Sequence, residues 1–228
     1  SYTGRINYGY DRRYMFTAAV RADGSSKFGK NNRWGVFPSV SAAWNAMNEK
    51  WFSNALSAAR INNLRLRFSW GLVGNQAIPA YQSQSTVSLG WYPSSGEDVP
   101  TAVAVRLANP DLKWESTEQY NVGFDFGAFD NRLTLTVNWY RKDTKDLLQN
   151  ILIPASTGFQ SQYQNRGAIR NQGMEFELTA RPVETKNFTW NIMANISFNR
   201  NEITDLGDVT EQFTADLGSL GYTPFIQK

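Results

Sequence analysis

Thr134-Leu135-Thr136-Val137-Asn138-Trp139 alternates polar and apolar side chains without a break, and Phe188-Thr189-Trp190-Asn191-Ile192-Met193-Ala194-Asn195-Ile196-Ser197-Phe198 repeats the style over a longer run. Successive side chains of an extended strand point to opposite faces, so each stretch has one oily face and one wet face. Eight such stretches can be read along the chain. They lie near Tyr2 to Tyr10, Tyr14 to Arg21, Gly35 to Met47, Asn63 to Leu72, Gln119 to Phe126, Leu133 to Trp139, Met174 to Arg181 and Phe188 to Phe198.

The links between them sort by length. Tight turns are expected at Asp11-Arg12, Ala128 to Asn131 and Pro182 to Asn187, whereas long loops cover about 23–34, 74–116, 143–171 and 200–228. Gly, Ser, Asn and the prolines Pro79, Pro93, Pro100 and Pro110 fill the long segments with turn chemistry. Between Asn48 and Asn62 the period breaks, and Trp51, Phe52, Leu56 and Ala59 point to a short helical turn. Short turns at one end and long loops at the other are the habit of outer-membrane barrels, where the turns face the periplasm. A soluble sandwich has no cause to segregate its links in this way.

Composition narrows the function. In 228 residues no run approaches the ~18 apolar residues of a membrane helix, but barrel strands give a far weaker hydropathy signal. There is no cysteine, hence no disulfide framework or thiolate metal site, and no histidine, hence no imidazole base or ligand. Ser-His-Asp and Cys-His catalysis are thereby excluded from this segment, and no cofactor, metal or catalytic residue is expected. A net charge of +3 with scattered basic residues leaves no nucleic-acid footprint.

The pattern alone permits apolar faces packed inward, as in a soluble β-sandwich that binds glycan, or turned outward to lipid. Aromatic side chains at strand ends (Tyr10, Tyr14, Trp44, Trp70, Phe126, Trp139, Phe188 and Trp190) favour lipid, because they form the girdles of a membrane barrel. The lumen wall is then expected to carry Arg65, Arg67, Asn121, Asn138, Glu175, Glu177, Asn191 and Asn195. In the long loops, Tyr81, Trp91, Tyr92, Phe159 and Tyr163 stand among polar residues. They suit stacking on sugar rings or holding a peptide or partner, and equally suit loops clasped by their own aromatics.

Three local patterns carry less. Gly24-Ser25-Ser26-Lys27-Phe28-Gly29-Lys30-Asn31 approaches a phosphate-binding loop, but Asn31 replaces the hydroxyl and a strand follows where a helix is needed. Glu175 and Glu177 share a strand face at a spacing of about 7 Å. A charged lumen wall, with Arg181 as neutralising partner, accounts for them better than paired-carboxylate catalysis. Asn187-Phe188-Thr189 and Asn195-Ile196-Ser197 match the glycosylation pattern by chance, since both touch a strand.

Longer motifs are more telling. Arg21-Ala22-Asp23-Gly24-Ser25-Ser26-Lys27-Phe28-Gly29 and Asn32-Arg33-Trp34-Gly35-Val36-Phe37-Pro38-Ser39-Val40-Ser41-Ala42-Ala43-Trp44 resemble a signature of the SusC/RagA family of TonB-dependent outer-membrane transporters. Leu64 to Gly71 with Gly74-Asn75-Gln76, Asn109-Pro110-Asp111-Leu112-Lys113-Trp114-Glu115, and Tyr140 to Leu148 look like further landmarks in the family's order. The resemblance covers about residues 1–200.

It implies an all-β fold: a transmembrane antiparallel β-barrel of about 22 strands, of which about eight are here. It also implies a plug domain, energy supplied through the TonB complex, and import of oligosaccharides or peptides with a SusD-like surface lipoprotein as lid. The localisation implied is the outer membrane of a Gram-negative, Bacteroidetes-like bacterium. Plug, TonB-contacting segment and closing strand are expected outside this sequence, which reads as an internal piece from the later part of the barrel. Competing readings are a structural or secretion-associated barrel component, the glycan-binding sandwich, and a barrel-embedded hydrolase, which the lack of histidine disfavours.

Overall fold

The computed structural model describes residues 1–52, 58–94 and 96–207, and for the backbone alone 211–213 and 225–227. Eight long strands form one antiparallel sheet: β1 (Tyr2–Tyr10), β2 (Tyr14–Gly24), β3 (Trp34–Asn45), β4 (Ile61–Asn75), β7 (Glu115–Ala128), β8 (Leu133–Lys145), β11 (Ala168–Glu184) and β12 (Thr189–Asp205), in that spatial order. Two hairpins are inserted in the loops, β5 (Thr86–Ser94) with β6 (Glu97–Arg106) and β9 (Leu148–Leu152) with β10 (Ser161–Asn165). A short pair, β13 (Glu211–Phe213) and β14 (Phe225–Gln227), follows.

All eight sequence-read strands are present, and several are longer than expected. The main strands run past the loop boundaries near 74, 116, 143, 171 and 200, and the 74–116 segment encloses the β5–β6 hairpin. Val87, Leu89 and Trp91 alternate along β5, but the register sets them opposite Ala104, Ala102 and Pro100 while Val99 and Val103 lie on the other face, so the hairpin has no continuous apolar face to stand out among its prolines. β11 and β12 each hold 17 residues, about 56 Å of strand where 9–11 residues span the hydrocarbon. The surplus rises on the long-loop side.

Register carries the two-faced pattern across the whole sheet. Tyr8, Phe16, Ala42, Phe68, Val122, Trp139, Met174 and Phe198 form one row through all eight strands. One residue along, the row is Asn7, Thr17, Ser41, Ser69, Asn121, Tyr140, Gly173 and Asn199. None of Leu64, Phe68, Val122, Leu135, Phe176 and Ile192 is buried, and Phe68 and Val122 are 44% and 43% exposed. No second sheet packs on either face among the described residues, which rules out the β-sandwich.

Tight turns close the short-link end. Asp11 and Arg12 both take positive φ, 49° and 53°, as in a type I′ turn closed by the Arg13 amide on the Tyr10 carbonyl at 2.9 Å, and Arg13 is the extra residue before Tyr14 pairs with Tyr10. Between β3 and β4 the chain turns through a 3-10 segment, Ala46–Asn48, and residues 50–52 are helical, while Leu56 lies outside the described residues. Glu49 pins this link. Its carboxylate is buried and accepts from Tyr14 Oη at 2.6 Å, Trp44 Nε1 at 3.2 Å and Arg13 at 3.4 Å. The hydrogen bonds from Tyr14 and Trp44, with Arg13 adding to them against desolvation, hold the Glu49 carboxyl below its ordinary range.

At the opposite end the long loops build the chain's buried apolar cluster. Phe28, Ile78, Leu112 and Trp114 pack together, with Phe37, Leu148 and Tyr163 against them. The Trp114 ring lies 5.1 Å from that of Phe28 and 5.4 Å from that of Phe37. Phe37 and Pro38 sit where β3 leaves β4, whose pairing begins at Ser39 with Gly71. A proline without an N–H is tolerated at such a departure.

Polar bonds stitch the same loops. Trp114 Nε1 donates to the Arg33 carbonyl at 3.3 Å, and Asn32 Nδ2 donates to that of Asp111 at 3.0 Å. Glu115 accepts from Asn75 Nδ2 at 2.9 Å and from the Leu148 amide at 3.1 Å. Asn165 exchanges two bonds of 2.8 Å with the Lys113 backbone, and Lys113 pairs with Asp146 at 2.9 Å. Gly29 passes so close to the Pro110 carbonyl that any Cβ there would collide with it.

Two outcomes follow for the full-length protein. Trp114→Ala removes a ring from a packed cluster, a change worth about 3–5 kcal/mol in cores. Limited proteolysis should then nick 23–34 and 108–115 far faster, with Gly29→Val giving the same pattern, while the barrel keeps its folded mobility on unheated gels. Equal nicking in both variants and the parent would show that the cluster does not hold the loops. For Glu49, a folded pKa below the unfolded value means its contribution is present above the unfolded pKa and lost as pH falls through the folded one. The protection of residues 46–52 against hydrogen exchange, taken relative to the intrinsic rate at each pH, should therefore fall on acidification below the ordinary carboxylate range, and Glu49→Gln should flatten that dependence.

Candidate functional site

The polar face of the sheet is the concave one. An open cavity of about 1070 Å³ is lined there by Thr3, Arg5, Thr17, Arg21, Ser39, Ser41, Ser69, Gln119 and Asn121, and its upper rim by Phe37 and Trp114 of the loop cluster. Smaller hollows of about 250 Å³ and 350 Å³ continue along the same face at Arg67, Asn121 and Asn138, and at Glu175, Glu177 and Asn195. The sheet thus curls around its hydroxyl, amide and charged side chains and turns its apolar rows outward.

The eight residues expected on the lumen wall share this face. Arg65 aligns through Asp125 and Thr136 with Glu177 and Asn195, and Arg67 through Gly123 with Asn138 and Glu175. Asn121 belongs to the row one step further along. Asn191 lies near the short-turn end, where it accepts from Arg181 Nε at 3.1 Å.

Electrostatics divides the wall. Arg67 grips Asp125 with two bonds of 2.8 and 2.9 Å and reaches Asn138 at 3.0 Å. Gly123 makes that reach possible, since a Cβ there would stand 2.7 Å from the guanidinium carbon. Glu175 and Glu177 are exposed, and neither forms an ion pair among the described residues. Arg181 does not neutralise them: it bonds Asn191 and Glu184, nearer the turn. Arg65, also on β4, forms no ion pair among the described residues and keeps a buried Nε without a hydrogen-bond partner, so the wall has one compensated and one uncompensated cation on β4 and uncompensated carboxylates on β11.

Amides and hydroxyls complete the surface. Asn121 Nδ2 donates to Ser69 Oγ at 3.2 Å, Gln119 Nε2 donates to Asn121 Oδ1 at 3.2 Å, and Tyr140 Oη donates to Asn199 Oδ1 at 3.1 Å. Single-residue reading overlooked Gln119, Tyr140 and Asn199, although the alternation places them on the polar set. These neutral groups can bind a polar solute by hydrogen bonds.

The loop aromatics separate into two kinds. Tyr81, Trp91 and Tyr92 are 64%, 71% and 64% exposed, the latter two on the β5–β6 hairpin. Tyr163 is half-buried against the loop cluster, and its carbonyl accepts from Asn109 Nδ2 at 2.7 Å. Phe159 is partly exposed beside the 3-10 turn Ala155–Thr157.

A family model described as "TonB dependent receptor-like, beta-barrel" matches residues 2–225. The chain is 41% identical over 223 residues to TonB-dependent receptor SusC of Bacteroides thetaiotaomicron, covering 93% of this chain and 22% of that protein. It is 39% identical over 204 residues to TonB-dependent receptor P39 of Formosa agariphila, covering 90% and 19%. Among solved structures, the RagAB peptide importer in its closed-closed state superposes with a TM-score of 0.85 at 33% identity, over 94% of this chain and 23% of that one. The siderophore receptor PirA of Pseudomonas aeruginosa shares the fold at 17% identity and a TM-score of 0.55. The chain thus spans about a fifth of the length of the curated relatives it matches. With its polar face curled inward, its apolar rows facing lipid and its loops gathered at one mouth, the chain belongs to the TonB-dependent receptor β-barrel family, to its SusC/RagA branch, and to the outer membrane.

Proposed function

We propose that these residues form part of the wall and outer mouth of an energised importer of oligosaccharides or peptides, acting with a SusD-like surface lipoprotein and driven through TonB. The observation that carries this reading is the continuous polar wall beneath loops held together by the Phe28–Trp114 cluster. Such a mouth keeps a fixed shape while solute passes along hydroxyl and amide groups. The outer edges of β1 and β12 carry no partner strand among the described residues. In lipid, unpaired backbone groups cost several kcal/mol each, so further strands complete the barrel.

Cargo class and partner follow the same logic. Ser, Thr, Asn and Gln bind sugar hydroxyls and peptide amides alike, while the free carboxylates of Glu175 and Glu177 favour solutes bearing an ammonium group. The exposed aromatics Trp91 and Tyr92 on the β5–β6 hairpin offer a rigid apolar contact to a lid protein or a sugar ring. Phe159 and Tyr81 stand at the same mouth.

The test uses the full-length protein in cells. Uptake of labelled oligosaccharide and of labelled peptide is measured with Asn121→Trp plus Ser69→Trp, which crowd the wall, and with Phe68→Trp on the lipid side. Import of one cargo should fall with the wall variants and hold with the lipid-side variant. Equal uptake of both cargoes in all three strains would refute an import wall here. Because the segment has no native cysteine, Ser41→Cys and Phe68→Cys give a second reading: a water-soluble maleimide should label only the former.

A further inference from the structure

The outward face changes character abruptly towards the long-loop end. Above the apolar row that ends in Trp139, Met174 and Phe198, the next row reads Trp70, Tyr120, Arg141, Gln172 and Arg200. One step higher it reads Leu72, Glu118, Asp143, Arg170 and Glu202. Indole and phenol at this boundary mark the depth of lipid headgroups. Both are anchored, since Trp70 Nε1 and Tyr120 Oη donate to Glu118 at 2.9 and 2.7 Å.

Beside this belt the charges are unevenly matched. Asp143 accepts from Arg141 at 2.7 Å and from Arg170 at 2.6 Å, so one carboxylate serves two guanidinium groups. Each bonds that carboxylate through its Nε, with 38% and 31% of the side chains exposed. Arg200 is exposed and has no ion pair among the described residues, although Glu202 stands two residues along its strand. Lys145 adds a further cation beside Glu118. Lys145 shares its row, through Ala168, with Asp205, so the mismatch is local: two guanidinium groups share the Asp143 carboxylate, and Arg200 stands nearby without an ion pair among the described residues. A hollow of about 170 Å³ opens between Arg141, Asp143 and Arg170.

We propose that Arg141, Arg170 and Arg200 bind the phosphate of a phosphorylated lipid headgroup in the outer leaflet. Guanidinium groups take phosphate in bidentate fashion and remain charged at every physiological pH. Arg141 and Arg200 stand on strands two apart in the sheet, about 10 Å between backbones, which leaves room for one phosphate group between them. The occupant is a lipid rather than a soluble anion because the site is continuous with the apolar row below it: a headgroup bound there leaves its acyl chains against Trp139, Met174 and Phe198. This depends on which face meets lipid and is independent of cargo.

Native mass spectrometry of the full-length protein in detergent provides the test, with bisphosphorylated lipid A and its dephosphorylated form as probes. The parent should retain the phosphorylated lipid at least about tenfold better, as expected for charged hydrogen bonds. Arg200→Gln should weaken retention, and Arg141→Gln with Arg170→Gln and Arg200→Gln should abolish the preference, while Arg12→Gln at the opposite end should not. If the triple variant fails to fold, judged by gel mobility without heating, the Arg200→Gln titration decides alone. Equal retention of both lipids by the parent would overturn the proposal. So would unchanged retention in Arg200→Gln, or displacement of the lipid by inorganic phosphate at equal concentration.

Discussion

A backbone N–H or C=O inside hydrocarbon has no water to fall back on, and leaving one unpaired costs several kcal/mol. The eight-stranded ladder answers that constraint, and the rest of the molecule is arranged around it. Once strands must pair edge to edge through the membrane, each has only two faces to offer, and they meet unlike surroundings. The unbroken row from Tyr8 to Phe198 and its neighbour from Asn7 to Asn199 are consequences of register being kept through seven successive pairings. A slip of one residue in any pairing would turn charged side chains into lipid.

A barrel wall has no interior of its own, so the apolar cluster had to be built elsewhere. It sits under the loops, where Phe28, Ile78, Leu112 and Trp114 meet. The motifs that resemble family landmarks gather at this cluster: Phe28 and Phe37 from the first two, Asn75 from the third, Leu112, Trp114 and Glu115 from the fourth, Asp146 and Leu148 from the last. Their spacing along the chain looked like a set of separate signatures. In space they are one clasp that ties the long loops together at one end of the sheet. At the other end Glu49 does a similar task with polar bonds, because there the link is short and carries little apolar surface.

Much of this was legible beforehand. The eight strands, the tight turn at Asp11-Arg12 and the common face of Arg67, Asn138 and Glu175 follow from the period of two, since side-chain direction in a strand depends on parity alone. The β5–β6 hairpin was missed: Val87, Leu89 and Trp91 do alternate, but prolines interrupt the segment and the large apolar residues of β6 fall on the opposite face, so no continuous oily face marks it. Neither was the partner of Arg181, which depends on the irregular register between Ala180 and Val183 near the turn. Trp139 looked like a strand end, but β8 runs on to Lys145, and the tryptophan instead marks the last apolar row before the charges begin.

Residue order alone establishes that the strands are two-faced, that their links are short at one end and long at the other, and that the family words are those of TonB-dependent outer-membrane barrels. Those properties are local, or reside in contiguous words. Which face is concave, which loop residues hold one another, and which charges lack an ion pair emerge only once the strands are paired. Each of those is a relation between strands distant in the chain, fixed by pairing register and by loops crossing above the sheet, and a one-dimensional pattern does not contain it.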